Sequence, residues 1–275
     1  MTVPTITLND GVQIPQLGFG VFQIAPGRDT EQALAQAFEA GYRHVDTAQM
    51  YGNEESVGKA IAASGLARDE LFVTTKLNND RHGRDEARKA LEESLTKLGL
   101  DHVDLFLIHW PLPQRDDYVE TWRGLEQAKA AGAVRSIGVS NFQVAHLDRL
   151  AAETDTVPSV NQIEVHPDFT QDALRAYHRD HGIATEAWSP IGQGGELLQD
   201  RTLTSLAEKY GRSPAQIVLR WHLQLGNIVF PKSSTPSRIR ENVDVFGFEL
   251  ADDDIASISA LDVGKRLGPN PDEFN

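Results

Sequence analysis

Four side chains with complementary acid–base chemistry occur where apolar runs of the sequence stop. Asp46 and Lys76 each follow a short β-rich run, His109 follows Leu107-Ile108, and Tyr51 lies five residues after Asp46. Taken singly, each has an ordinary structural interpretation, such as a loop cap, a rim aromatic residue or a hydrogen-bonded core histidine. Together they indicate a catalytic group, provided that the fold brings these strand ends to one place.

The chemistry that these four groups could perform is proton transfer to a carbonyl oxygen. A tyrosine hydroxyl is a weak acid, with an ordinary pKa of ~10, unless a nearby cation stabilises its phenolate. We expect Lys76 to be that cation and Asp46 to hold its ammonium in place and keep it charged. His109 would orient the substrate oxygen by hydrogen bonding. Because no side chain donates hydride, such a site also needs a cofactor.

The spacing of apolar runs predicts the elements that position these groups. Successive β-rich runs begin 24 to 44 residues apart, long enough for a strand and a crossover helix; the runs begin near Leu17, Arg43, Leu71, Val103, Val134, Val160, Ala184 and Ile228. Asp85 to Leu98 has the apolar period of a helix, and Ser213-Pro214 and Thr235-Pro236 resemble helix starts. Thr5 to Ile14, with Asp10-Gly11 at its centre, is typical of a β-hairpin.

This arrangement favours an α/β fold, a (β/α)8 TIM barrel with an N-terminal β-hairpin, formed by one domain over residues 1–275. The tail from Gly264 to Asn275 would lie over the barrel mouth or remain mobile. A doubly wound open sheet is the alternative. However, Gly18-Phe19-Gly20 is not followed by the third glycine of a dinucleotide fingerprint. In a barrel, the strand ends meet at one rim, where chemistry takes place.

Later strand ends offer a place for a nicotinamide cofactor. The fifth run ends at Ser140-Asn141, and the sixth contains Gln162, so their polar groups could anchor a carboxamide. The seventh run ends at Trp188-Ser189, which places a flat ring at the same mouth. We expect Trp188 to stack on the nicotinamide. We also predict that Ser189 binds the cofactor.

A basic segment follows the eighth run. Between residues 232 and 242, Lys232, Arg238 and Arg240 outnumber the single carboxylate of Glu241, although the whole chain has a formal charge of −14. The helix that begins near Thr235-Pro236 would present unpaired N–H groups to an anion. Loops after the last two strands are a frequent phosphate site in this barrel. The segment therefore favours a 2′-phosphate, and hence NADPH rather than NADH.

The sequence resembles the aldo-keto reductases, in particular the bacterial branch that contains 2,5-diketo-D-gluconate reductases. The resemblance spans nearly the whole chain and rests on six segments in order: GYRHVDTAQMYGNE (41–54), TTKL (74–77), DLFLIHWP (104–111), SIGVSNF (136–142), VNQIEVHP (160–167) and PKSSTPSRIRENVDVF (231–246). It implies an NADPH-dependent reductase of small aldehydes, α-dicarbonyls or keto-sugar acids.

The resemblance also implies roles for individual residues. Asp46, Tyr51, Lys76 and His109 would form the catalytic tetrad, with Tyr51 as the proton donor. The cofactor would contact Ser140, Asn141, Gln162 and Trp188 at the nicotinamide, and Lys232, Ser233, Ser234, Arg238, Glu241 and Asn242 at the adenosine and its 2′-phosphate. Phe22 and Trp110 would be apolar walls for the substrate, and Asn78 would be a third residue that contacts it. Asn78 and Trp188 replace the Trp and Tyr that many members have.

Composition excludes several other classes. The acidic charge, with a pI near 5.0, argues against a nucleic-acid-binding surface, and no apolar run is long enough to span a membrane. There is no cysteine, so thiol chemistry is impossible. We expect a cytoplasmic monomer that acts on a small-molecule carbonyl.

Two other functions stay open at this stage. A nicotinamide-binding regulatory or interaction subunit with little turnover would share the same residues. A metal-dependent barrel hydrolase is disfavoured because His109 and His166 lack companions at metal-ligand spacing, so no bound metal is expected.

Overall fold

The structure is a computed structural model that describes residues 3–275. An antiparallel hairpin of β1 (Thr5–Thr7) and β2 (Gln13–Pro15) precedes a sheet of eight parallel strands. These strands follow chain order around the sheet: β3 (Phe19–Gly20), β4 (His44–Asp46), β5 (Phe72–Leu77), β6 (Val103–Ile108), β7 (Val134–Ser140), β8 (Val160–Glu164), β9 (Ala184–Trp188) and β10 (Ile228–Val229). The predicted eight runs and the hairpin are therefore confirmed.

The sheet closes on itself. The Gly18 N–H donates to the Val229 carbonyl at 2.9 Å, and the Val229 N–H donates to the Gln16 carbonyl at 3.1 Å. These bonds join the last strand to the segment that enters the first, which completes the predicted (β/α)8 barrel. Closure removes both sheet edges and gives the barrel one interior, into which alternate side chains of each strand point.

Helices follow the strands and cover the outside of the barrel: α1 (Arg28–Ala40), α2 (Glu54–Ala63), α3 (Arg84–Leu98), α4 (Tyr118–Ala130), α5 (Val144–Glu153), α6 (Asp172–Asp180), α7 (Arg201–Tyr210), α8 (Pro214–Gln224), α9 (Pro236–Val243) and α10 (Asp252–Ser259). As predicted, Ser213 caps α8, because its Oγ accepts from the Gln216 N–H at 3.3 Å. Thr235 precedes α9, but its side chain makes no capping hydrogen bond. Instead, Ser233 Oγ accepts from the Thr235 N–H at 3.0 Å.

The barrel interior is apolar at one end and polar at the other. Leu8 and Ile14 of the hairpin pack with Phe72, Leu105 and other strand side chains, so the hairpin closes the apolar end. Because side chains alternate between faces, the inward positions further along the same strands carry polar groups. This alternation places Lys76 two residues beyond Thr74, and His109 two beyond Leu107. The polar layer lies at the carboxyl ends of the strands, as expected for a functional barrel mouth.

Candidate active site

A fully buried lysine is the centre of the site. Lys76 Nζ donates to both carboxylate oxygens of Asp46, each at 2.8 Å, and to the Thr47 carbonyl at 3.0 Å. Its remaining neighbour is the hydroxyl oxygen of Tyr51, at 3.2 Å. Strand β4 supplies Asp46, β5 supplies Lys76, and a short helical turn after β4 supplies Tyr51. The structure therefore brings three of the four predicted acid–base residues into hydrogen-bond contact.

The charges of this cluster follow from its contacts. Burial opposes the charge of Lys76, but the neighbouring Asp46 and Tyr51 outweigh it and raise the pKa of the ammonium. For Tyr51, burial is the largest influence and raises the pKa of the phenol, whereas the Lys76 cation lowers it. The cation thus offsets only part of the burial effect, and the phenol keeps its proton at neutral pH.

His109 is a neutral base beside the phenol. Burial, with a contribution from the Lys76 charge, lowers the pKa of its imidazole well below the ordinary value. The His109 and Tyr51 rings meet edge to face, with centroids 5.9 Å apart, which completes the predicted group of four. A neutral imidazole can orient a substrate oxygen with its N–H, but it has no imidazolium proton to give. Of these two neighbouring rings, the Tyr51 phenol is therefore the one that holds an acidic proton at neutral pH.

The residues predicted to hold a carboxamide form one hydrogen-bonded network. Ser140 Oγ donates to the Gln162 carbonyl at 2.8 Å, and Asn141 Nδ2 donates to the His109 carbonyl at 3.0 Å. Trp188 Nε1 donates to Asn141 Oδ1 at 2.8 Å. Asn141 and Ser189 also have positive φ angles, of 65° and 50°, a backbone conformation that non-glycine residues rarely adopt and that is common at functional sites.

The basic segment after β10 lies close to the start of α1. Lys232 and Ser234 line a surface cavity whose opposite wall is formed by 23–25 and the first turns of α1. Arg238 is exposed on α9, whereas Ser233 and Asn242 are buried. Glu241 accepts a hydrogen bond from the Ser213 hydroxyl, so one of its oxygens is already engaged.

The three predicted substrate residues have different surroundings. Phe22 is 51% exposed, and its ring centroid lies 5.0 Å from that of Tyr51. Trp110 is buried and packs against Phe274 of the C-terminal tail, with ring centroids 4.6 Å apart. Asn78 accepts a hydrogen bond from the Asn79 N–H at 3.0 Å, so its side-chain oxygen caps a short helical turn. Phe22 is thus the predicted wall in direct contact with the phenol ring.

The C-terminal tail lies over the mouth and is held there by a glutamate that sequence reasoning missed. Glu164, buried at the end of β8, accepts from the N–H groups of Leu267 at 2.5 Å and Gly268 at 3.0 Å. A Cβ atom at Gly268 would lie 2.5 Å from Cη2 of Trp188, so the tail backbone packs directly on that ring. A charged residue inside a buried strand was the available signal for Glu164.

The same signal marks a second residue that was missed. Glu186, fully buried in β9, pairs in register with Gln162 of β8. Gln162 Nε2 donates to Glu186 Oε2 at 2.8 Å and to Asp46 Oδ1 at 2.9 Å. Gln162 therefore connects the acid–base cluster to a second buried carboxyl group.

Residues 3–275 contain no group of three or more histidine, aspartate or glutamate side chains arranged to hold a metal ion. Over the same part of the chain, no helix is long and apolar enough to cross a membrane.

Comparisons with known proteins identify the family to which the chain belongs. A methylglyoxal reductase, DkgA, of Yersinia pestis is 54% identical over 98% of this chain and 97% of its own. A crystal structure of an aldo/keto reductase from Brucella melitensis is 56% identical, with a TM-score of 0.91 over 95% of this chain and 100% of its own. An aldo-keto reductase of Bombyx mori in complex with NADP is 42% identical, with a TM-score of 0.93 over 100% and 98% of the two chains. The model of the aldo/keto reductase family matches residues 16–263, and the chain belongs to this family.

Proposed function

We propose that the protein is an NADPH-dependent reductase of small aldehydes, α-dicarbonyls or keto-sugar acids. The observation that carries the proposal is the contact of the Tyr51 hydroxyl with the buried Lys76–Asp46 pair, next to a neutral His109. This arrangement suits delivery of a proton to a carbonyl oxygen. The likeness to a methylglyoxal reductase of Yersinia pestis supports an α-dicarbonyl substrate.

The residues of the site have separable tasks in this reaction. NADPH supplies hydride to the carbonyl carbon when it is bound. The His109 N–H holds the carbonyl oxygen near Tyr51, whose phenol gives its proton to that oxygen as negative charge develops. An alkoxide is a much stronger base than a phenolate, so the phenol need not be unusually acidic. Lys76 stabilises the phenolate that remains, and Asp46 keeps Lys76 charged and in place.

The cofactor-binding residues fit an adenine dinucleotide with a 2′-phosphate. We assign Ser140, Asn141 and Gln162 to the carboxamide, and Trp188 with Ser189 to the nicotinamide ring. The anionic end would be held by Lys232, Ser233, Ser234, Arg238, Glu241 and Asn242. Support comes from the cavity lined by Lys232 and Ser234 and from the start of α9, where no side chain caps the first N–H groups.

The test is an NADPH-oxidation assay with methylglyoxal and 2,5-diketo-D-gluconate as substrates. Tyr51→Phe keeps the ring contacts with Phe22 and His109 but removes the proton. We expect turnover to fall at least ~100-fold, with NADPH binding unchanged. Tyr177→Phe is the matched control, because the Tyr177 hydroxyl contacts Asp148 on the outer helices. Equal turnover in wild type and Tyr51→Phe would refute the proton-donor role, and NADPH binding with no turnover of any carbonyl would instead favour a regulatory subunit.

A further inference from the structure

Glu186 is a buried carboxyl group that accepts a hydrogen bond from the side-chain amide of Gln162, a proposed cofactor-binding residue. Both N–H bonds of the Gln162 amide are directed at carboxyl oxygens, one of Asp46 and one of Glu186. The two acceptors come from different strands, β4 and β9, so they hold the amide from two sides. Gln162 Oε1 accepts no hydrogen bond from the part of the chain that the structure describes, and it is left as an acceptor.

We propose that Glu186 is a positioning residue for cofactor binding, which together with Asp46 fixes the Gln162 amide with its carbonyl oxygen available to the nicotinamide carboxamide. The inference rests on the proposed function, because it assigns a task toward the cofactor that this function requires. Turning the amide over would bring its oxygen against the Asp46 carboxylate and leave Glu186 Oε2 without its donor. The ionised Asp46 carboxylate can only accept, so it selects this orientation of the amide, and Glu186 Oε2 provides the second acceptor that supports it.

The charge state of Glu186 agrees with this role. Burial, reinforced by the nearby negative charge of Asp46, raises the pKa of Glu186 to about 8. Near neutral pH the side chain is therefore mainly an uncharged acid that accepts one hydrogen bond and adds no second negative charge beside Asp46. Lys76 is then balanced by Asp46 alone.

Glu186 lowers the stability of the folded protein, which indicates that it does not serve to fill the core. Glu186 Oε1 is buried and has no hydrogen-bond partner among residues 3–275. An unpartnered buried polar atom destabilises a folded protein, and a well-packed apolar side chain of similar size removes that cost. Glu54 provides a comparison, because it is a buried glutamate with one oxygen hydrogen-bonded to Thr75 and the other 4.0 Å from Lys97 Nζ, but it lies on α2.

The experiment compares Glu186→Leu, Glu186→Gln and the matched control Glu54→Leu. Each is assayed for NADPH binding by fluorescence titration and for KM and kcat with methylglyoxal. Circular dichroism checks folding. Glu186→Leu removes the acceptor, so we expect the Kd and KM for NADPH to rise about tenfold, the equivalent of one hydrogen bond, with the KM for methylglyoxal little changed. Glu186→Gln retains an uncharged acceptor and should stay within about twofold of wild type.

The outcomes separate the two proposals. If wild type neither binds NADPH nor reduces carbonyls, the proposed function fails. If wild type does both but folded Glu186→Leu binds NADPH as wild type does, the positioning role is wrong. A loss in Glu186→Gln as large as in Glu186→Leu, or an equal loss in Glu54→Leu, would also overturn it. Should Glu186→Leu not fold, Glu186→Thr, which is too short to reach Gln162, gives the same test.

Discussion

Lys76 and Asp46 form an ion pair whose members are both buried, with Nζ 2.8 Å from each carboxylate oxygen. Removing one member of a buried pair leaves an uncompensated charge, which lowers the free energy of unfolding by about 3–5 kcal/mol. Replacing both members by uncharged side chains of similar volume changes that free energy little. The stability and the chemistry of this pair can therefore be measured separately.

We expect Lys76→Met to lose about 3–5 kcal/mol of unfolding free energy and almost all turnover. The double variant Lys76→Met/Asp46→Asn should regain most of that stability and none of the turnover, because the Tyr51 phenolate still lacks its cation. Urea denaturation and NADPH oxidation measure the two effects. Recovery of turnover together with stability would mean that Lys76 has only a structural role.

Arg238→Ala tests the choice of cofactor. If the guanidinium binds the 2′-phosphate, its loss should weaken NADPH binding by about ten- to a hundredfold, the worth of a charge-assisted hydrogen bond, and leave NADH binding unchanged. Arg240→Ala, another exposed arginine of α9, is the control for a general charge effect. Equal losses for NADPH and NADH in Arg238→Ala would contradict the 2′-phosphate assignment.

Gly268→Ala tests the contact between the tail and Trp188. The added methyl group would lie 2.5 Å from Trp188 Cη2 and 3.4 Å from Glu164 Oε2, so the ring or the tail must move. We expect a higher Kd for NADPH and faster proteolysis of the C-terminal segment. In Gly247→Ala the new methyl group meets only Arg212, at 3.5 Å, so that variant should match wild type. Unchanged values in Gly268→Ala would show that this contact does not position the ring.

Buried histidines should make the folded protein less stable as the pH falls. His178 Nε2 accepts a hydrogen bond from Asn161 Nδ2 at 2.9 Å, and burial lowers the pKa of His178 to about 3. Between pH 6.5 and about 3, the unfolded chain therefore binds a proton that the folded chain does not, so stability falls as the pH falls. Burial lowers the pKa of His44 to about 4 and that of His222 to about 3, with the same sign.

Each such histidine contributes about 1.4 kcal/mol of lost stability per pH unit within this window. Urea denaturation at pH 7, 6 and 5 measures the slope. His178→Gln cannot take up that proton, so its slope should be smaller by about one histidine's share. The same slope in wild type and His178→Gln would show that His178 does not titrate in this way.

The sequence alone determined the barrel and the polar rim. Side chains alternate between the two faces of a strand, and parallel strands end on one side, so polar residues that stop apolar runs must gather at one mouth. For this reason the local pattern was enough to place Asp46, Lys76 and His109 at this mouth. Tyr51 follows from the short loop after Asp46.

Only the tertiary structure decided how strongly these groups are coupled and which others join them. Glu186 meets Gln162 because β8 and β9 pair in one register, and a shift of register would change this contact without altering either local sequence. The bonds from Glu164 to Leu267 and Gly268 join residues more than a hundred positions apart. The net rise in the pKa of Tyr51 likewise reflects burial outweighing Lys76, a balance that depends on the atoms packed around the phenol.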